Sequence, residues 1–220
     1  MKFDMKTIQV LKNFTTINPS LVFKPGNTIH TISPAKTIMA QAQIDMNIDR
    51  EFAIYDLSQL LATLALFEDC EVETRENYLE IISGSEKVHY LYADPSLIVA
   101  PPQKNLDLPS VDVEFDLPAE VLTKTMKAMA IMGAPELAVV GDGQHIRVQT
   151  YNSKYANSNS SSYSNIVGNT DKKFTMVFLA ENLKLMPGSY RVAISSAKIG
   201  HFQGTGVQYY VAVEQTSSME

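Results

Sequence analysis

The chain has a single cysteine, Cys70, which excludes an internal disulfide and a cysteine-rich metal site and fits a reducing compartment. Long apolar runs are missing as well. No stretch approaches the roughly 20 consecutive apolar residues that span a bilayer. The start, Met1-Lys2-Phe3-Asp4-Met5-Lys6, has neither the apolar segment nor the cleavage site of a secretory leader. These absences predict a protein that stays in the cytoplasm where it is made, with no membrane association. Basic charge is not in excess: 18 Lys and Arg stand against 24 Asp and Glu, a formal net charge of −6. That balance argues against coating nucleic acid with the whole surface, but it leaves room for a local basic stripe.

Catalytic and metal-binding constellations are also absent. His30, His89, His145 and His201 sit singly in strand-like patterns, without the paired spacing that holds a metal. Cys70 has no sequence neighbour that would depress its pKa, so it reads as an inert thiol. The turns Gly141-Asp142-Gly143 and Gly204-Thr205-Gly206 lack the lysine and following helix of a phosphate loop. Nothing assembles a nucleophile, a base and an oxyanion site. The expectation is a protein that is not an enzyme, with no catalytic residue, cofactor or metal.

What the chain does have is 220 residues, 45% of them apolar and 19% charged, enough for one sizeable core or two small ones. Residues 6–17 carry a helical period. Thr7, Ile8, Val10, Leu11, Phe14 and Ile17 fall on one arc, and Lys6, Gln9, Lys12, Asn13 and Thr16 on the other. Asn18-Pro19 ends this helix. Residues 21–23, the turn Lys24-Pro25-Gly26-Asn27 and residues 28–32 then read as a β-hairpin. Strands are predicted over 38–44 and 51–55, followed by a helix over 57–67 capped by Asp56 or Ser58. Three more strands cover 70–74, 78–83 and 87–92.

Residues 94–109 are proline-bearing and lack periodicity, which marks an extended connector between a first domain, 1–93, and a second, 110–220. After it, a strand over 111–115 and a helix over 118–132 restart the pattern. On that helix Val121, Leu122, Met126 and Met129 share one side and Glu120, Thr123, Lys124 and Lys127 the other. Helix then hairpin recurs at 137–140 and 145–151. Strand then helix recurs too, because Phe52-Ala53-Ile54-Tyr55-Asp56-Leu57 with Leu61 has a counterpart in Phe174-Thr175-Met176-Val177-Phe178-Leu179 with Leu183, at an offset of roughly 120 residues. Strands over 189–195, 199–203 and 208–213 close the second half. Residues 152–165 are a Ser/Asn-rich stretch that reads as a surface loop running into a short strand. The fold class is therefore α+β, with two similar halves.

Several segments carry a family resemblance. Phe14-Thr15-Thr16-Ile17-Asn18, Ala53-Ile54-Tyr55-Asp56-Leu57 and Ala93-Asp94-Pro95-Ser96-Leu97-Ile98-Val99-Ala100-Pro101 are three of them. Asn182-Leu183-Lys184-Leu185-Met186-Pro187-Gly188-Ser189-Tyr190 and Tyr210-Val211-Ala212-Val213-Glu214 follow in order. Together they resemble the sliding clamps of T-even-type bacteriophages, and the loop at 152–165 departs from that pattern. The resemblance implies a DNA-clamp fold assembled as a homotrimeric ring, with helices lining the hole and antiparallel sheets outside. It implies processive tethering of a replicative DNA polymerase on double-stranded DNA without sequence specificity, in the cytoplasm of an infected bacterium. Implied partners are the polymerase C-terminal peptide, an ATP-dependent clamp loader and late-transcription factors.

The same resemblance assigns residues. Lys6, Lys12, Lys124, Lys127 and Lys184 would face DNA, although a lysine-bearing helix side is also what any solvated helix shows. Ring closure would pair the strand at 87–92, with Lys87, Val88, His89 and Tyr90, to the strand at 161–167, with Ser161, Tyr163 and Ile166. A hydrophobic peptide pocket beside the connector would be lined by Leu106, Leu108, Tyr210, Val211 and Ala212, residues that equally suit a plain core. Two other readings remain at this point: a phage structural or assembly protein with duplicated domains, and a small-molecule-binding or enzymatic domain without a recognisable motif.

Overall fold

A computed structural model describes residues 1–102, 107–155 and 161–220. The chain divides into two compact units, Met1–Lys104 and Asn105–Glu220, and the division falls within the proline-bearing segment.

The first unit opens with α1 (Met5–Ile17). Asp4 caps it, its Oδ1 accepting the Thr7 amide at 2.7 Å, and extended backbone at Asn18 before Pro19 ends it. Its buried side, Thr7, Val10, Leu11, Phe14 and Ile17, keeps the helical period read from the sequence. Burying a side chain such as Phe14 contributes about 2 kcal/mol.

The hairpin expected at residues 21–32 does not form. β1 (Leu21–Phe23) pairs with β4 (Phe52–Ile54), and β2 (Gly26–Ile32) pairs with β3 (Ile38–Ile48). The reason lies in the turns. Gly26 at φ 117° starts β2 and sends β1 towards another partner. The hairpin turn is instead at 33–37, where Ser33 Oγ accepts the amides of Thr37 and Ile38 at 3.0 and 3.2 Å and Lys36 takes φ 57°.

α2 (Leu57–Leu64) follows β4 and packs against α1. Of the two candidate caps Asp56 serves, accepting the Gln59 amide at 2.9 Å. The helix is shorter than predicted because Leu66 and Phe67 donate three residues back, tightening the last turn. β5 (Glu71–Thr74), β6 (Tyr78–Ser83) and β7 (Glu86–Leu91) then form an antiparallel sheet. Met1 covers the outer edge of β5 through bonds with Val72, and β7 lies at the other end.

In the second unit, β8 (Val113–Leu117) leads into α3 (Ala119–Met132). Pro118 occupies the position before the first turn, and Gly133 ends the helix in the left-handed conformation, φ 63°. α3 packs on the hairpin of β9 (Glu136–Asp142) and β10 (His145–Tyr151). Asp142 shapes that turn by accepting the amides of Gln144 and His145 at 2.9 and 2.7 Å. β11 (Ser164–Asn169) pairs with β10, and β12 (Lys173–Leu179) pairs with β9.

The helix expected after β12 is a single 3-10 turn, Ala180–Asn182. Where Asp56 caps α2, the second half carries Phe178, which is fully buried and cannot cap a helix. β13 (Tyr190–Ser195), β14 (Ile199–Gln203) and β15 (Val207–Ala212) form an antiparallel meander, with β8 on the far side of β13. β16 (Ser218–Met219) covers the edge of β12 and leaves β11 at the other end of that sheet. Phe178, Val192, Phe202, Tyr209 and Val211 fill the core, Phe178 meeting Phe202 edge-on at 5.5 Å.

Candidate nucleic-acid interface and partner groove

The amphipathic helices expose the lysines they were expected to expose. On α1, Lys6 and Lys12 are exposed together with Gln9 and Thr16. Lys6 Nζ lies 3.2 Å from Asp45 Oδ1, an exposed pair that partly neutralises the lysine and contributes little to stability. Lys12 forms no ion pair among the described residues. On α3, Lys124 and Lys127 are exposed at a spacing that puts both on one side of the helix. Lys184 differs, being half-buried in the segment after the 3-10 turn and on no helix. A lysine ammonium on a flexible stem meets phosphates as a point charge and reads no base edges.

The second unit also carries a groove on the outer face of its meander. Strand register puts Glu114, Ala193, His201 and Tyr210 in one row across β8, β13, β14 and β15. Arg191 and Gln203 lie in the adjacent row, and Asp107, Leu108 and Val111 border an open groove of about 330 Å³. Arg191 Nε donates to Glu114 Oε1 at 2.8 Å and holds that carboxyl below its ordinary range. The His201 ring stacks on Tyr210, and its Nε2 lies 2.9 Å from Gln208 Oε1. Burial, and then the charge of Asp107, push the Tyr210 hydroxyl upwards, which keeps it neutral and able to donate a hydrogen bond.

Of the pocket residues expected from the sequence, Leu108 and Tyr210 line this groove and Ala212 is half-buried on the same side of β15 as Tyr210. Val211 is a correction. It is fully buried beside Tyr209 in the core, because successive strand residues face opposite sides. Leu106 lies outside the described residues. Val111, Glu114, Arg191, His201 and Gln203 were missed, although the alternation of Arg191 with Val192 and of His201 with Phe202 already marks outward positions.

Both strands singled out for pairing lie at sheet ends. β7 carries Lys87, Val88, His89 and Tyr90, and the Tyr90 hydroxyl donates to the Asp56 carbonyl at 2.9 Å. β11 carries Ile166, while Ser161 and Tyr163 come before the strand begins. Tyr163 is tied to β10, its amide donating to Thr150 Oγ1 at 3.0 Å.

Among the described residues, no group of three or more His, Cys, Asp or Glu is placed to hold a metal ion, and no helix is long and apolar enough to cross a membrane. Burial, and then Asp69, push the Cys70 thiol up, away from the thiolate that nucleophilic chemistry needs.

Solved structures of similar shape cover nearly the whole chain. The chain superposes on the proliferating cell nuclear antigen of Thermococcus kodakaraensis with a TM-score of 0.71 at 13% identity, covering 97% of this chain and 99% of that one. It superposes on the A. fulgidus homologue, solved with a C-terminal region of FEN-1, with a TM-score of 0.69 at 16% identity over 96% of each. The fold is thus that of the sliding clamps. Residues 2–100 match the family described as DNA polymerase processivity factor, and residues 114–215 match the C-terminal part of the gp45 sliding clamp. The sliding clamp of Vibrio phage KVP40 is 30% identical over 97% of this chain and 99% of its own length. That of Enterobacteria phage T4 is 29% identical over 99% of each chain. The chain belongs to the phage sliding clamps, a family of processivity factors for DNA polymerase and not of enzymes. This membership favours a processivity factor over a phage structural or assembly protein with duplicated domains and over a small-molecule-binding or enzymatic domain.

Proposed function

We propose that three copies of the chain close into a ring around duplex DNA and tether the replicative polymerase of a phage in the cytoplasm of its bacterial host. The domains would be 1–93 and 110–220, joined by the connector 94–109. The observation that carries this reading is the pair of amphipathic helices, one in each unit, that bury apolar stripes and expose Lys6, Lys12, Lys124 and Lys127 in an otherwise acidic chain. A ring persists through topology, so each phosphate contact can be weak and short-lived, as sliding requires. Lys184 joins the set less directly, from its loop. Negative charge elsewhere on the surface favours DNA at the lysines over DNA on the outside.

Closure would pair β7 of one copy with β11 of the next. The polymerase C-terminal peptide would seat an apolar side chain against Leu108 and Tyr210 in the groove of the second unit. Late-transcription factors would use the same groove, and an ATP-dependent loader would open the ring. Primer extension on a long primed template tests the reading. Product length should rise when the chain, its matched loader and ATP are all present, and light scattering should give the mass of three chains. No gain in length with a matched loader would count decisively against it.

A further inference from the structure

The edge strand β7 presents a lysine that its proposed partner strand cannot balance. Its outward face carries Lys87 and His89, cross-strand neighbours of Ile82 and Glu80 on β6. β11 consists of Ser164, Asn165, Ile166, Val167, Gly168 and Asn169, with no ionisable side chain, and the β10 residue opposite Ile166 is Arg147. Arg147 is already paired with Asp142 at 3.4 Å, so pairing the two edges would desolvate Lys87 beside a strand with no charge to offer it, which is costly unless a counter-charge is already present.

Glu80 supplies that counter-charge from within the chain. Its side chain is only 8% exposed although it sits on the outward face of the sheet, because Arg75, Lys87 and His89 close over it. Arg75 donates to Oε2 through Nε at 2.9 Å and Nη2 at 2.5 Å, Lys87 Nζ donates to Oε1 at 3.2 Å, and His89 Nε2 lies 3.5 Å from Oε1. Arg75 also pairs with Glu73, and His89 stacks against Tyr78 with ring centroids 4.5 Å apart. One carboxylate thus fixes side chains of β7 and cancels charge next to the free edge.

We propose that Glu80 is a positioning residue for ring assembly, holding β7 neutral and in register so that a second copy of the chain can add its β11. The inference rests on the ring reading above. Removal of the carboxylate should weaken the trimer through repulsion, and repulsion between partly exposed charges is screened by salt. A purely structural role in the first unit would instead appear as a loss of fold by circular dichroism along with the loss of trimer.

The test is the trimer dissociation constant by sedimentation equilibrium, with circular dichroism to establish that each variant is folded. Glu80→Gln should weaken the trimer on the order of tenfold at about 0.05 M salt and recover most of that loss at about 0.5 M. Adding Lys87→Gln to Glu80→Gln should also restore assembly, and Lys2→Gln, which breaks an exposed pair with Asp69 in the same unit, should leave it unchanged. A Glu80→Gln trimer as tight as wild type, or one weakened equally at both salt concentrations, overturns the proposal. Should Glu80→Gln fail to fold, Lys87→Gln alone decides: a tenfold loss with Glu80 intact would make the lysine itself the interface contact and overturn the proposal. A wild-type chain that is monomeric throughout would instead sink the ring reading, and this inference with it.

Discussion

His201 and Tyr210 face each other across β14 and β15 with ring centroids 4.5 Å apart and planes 10° from parallel. Neither ring is in the core, since their chain neighbours Phe202, Tyr209 and Val211 take the buried side. The stack therefore gives the groove it lines with Leu108 and Val111 a flat aromatic surface, held before any partner arrives.

Tyr210→Ala should weaken binding of a polymerase C-terminal peptide by about 30-fold, the effect of removing an aromatic anchor worth roughly 2 kcal/mol. Fluorescence anisotropy with a labelled peptide measures it. An unchanged affinity would move the peptide site away from this groove.

The lysines should not be equal. Lys12→Glu combined with Lys124→Glu should shorten processive synthesis while the trimer persists, and should reduce the salt slope of DNA retention by about 1 for each phosphate that is no longer neutralised. Lys6→Ala should matter less than Lys12→Ala, because Asp45 already offsets part of the Lys6 charge. Loss of the trimer in the double variant would place those helices at a subunit boundary instead.

Acid should loosen the first unit in a defined window. Hydrogen bonds from Arg75 and then Lys87 hold the Glu80 carboxyl down to about 2. An unfolded glutamate titrates near 4.3, so the folded state binds fewer protons than the unfolded state between these values. The stabilisation is complete above about pH 4.5 and is lost as pH falls towards 2. Asp4, with its lowered carboxyl at the start of α1, changes stability in the same direction. Thermal melts of wild type and Glu80→Gln should converge as pH drops through this range. A constant gap down to the lower limit would contradict the assignment.

Gly200→Ala should destabilise the second unit by about 1–3 kcal/mol through overpacking. A Cβ there would lie 2.7 Å from the Phe178 ring and 3.3 Å from Phe202, in a core with no slack. Urea denaturation checks it, and a stability within error of wild type would show that the Phe178 ring can retreat.

That α1 and α3 become helices, and which of their sides are buried, was legible along the chain because periodicity is local. Phe14 and Leu11 had to share a face of α1, as Val121 and Met129 had to share one on α3, and Lys12 and Lys124 were left outside in consequence. Partner choice was not local. It took the folded chain to establish that β1 joins β4 in place of β2, that Phe178 is drawn into the core and leaves a 3-10 turn where a second helix was expected, and that Val211 points inwards while Tyr210 meets His201. The same holds for Glu80, which reads in the sequence as one more surface carboxylate and becomes a hub only when Arg75, Lys87 and His89 are folded around it. A strand's pattern fixes which residues share a face, whereas its neighbours are set by where the rest of the chain finds its lowest free energy.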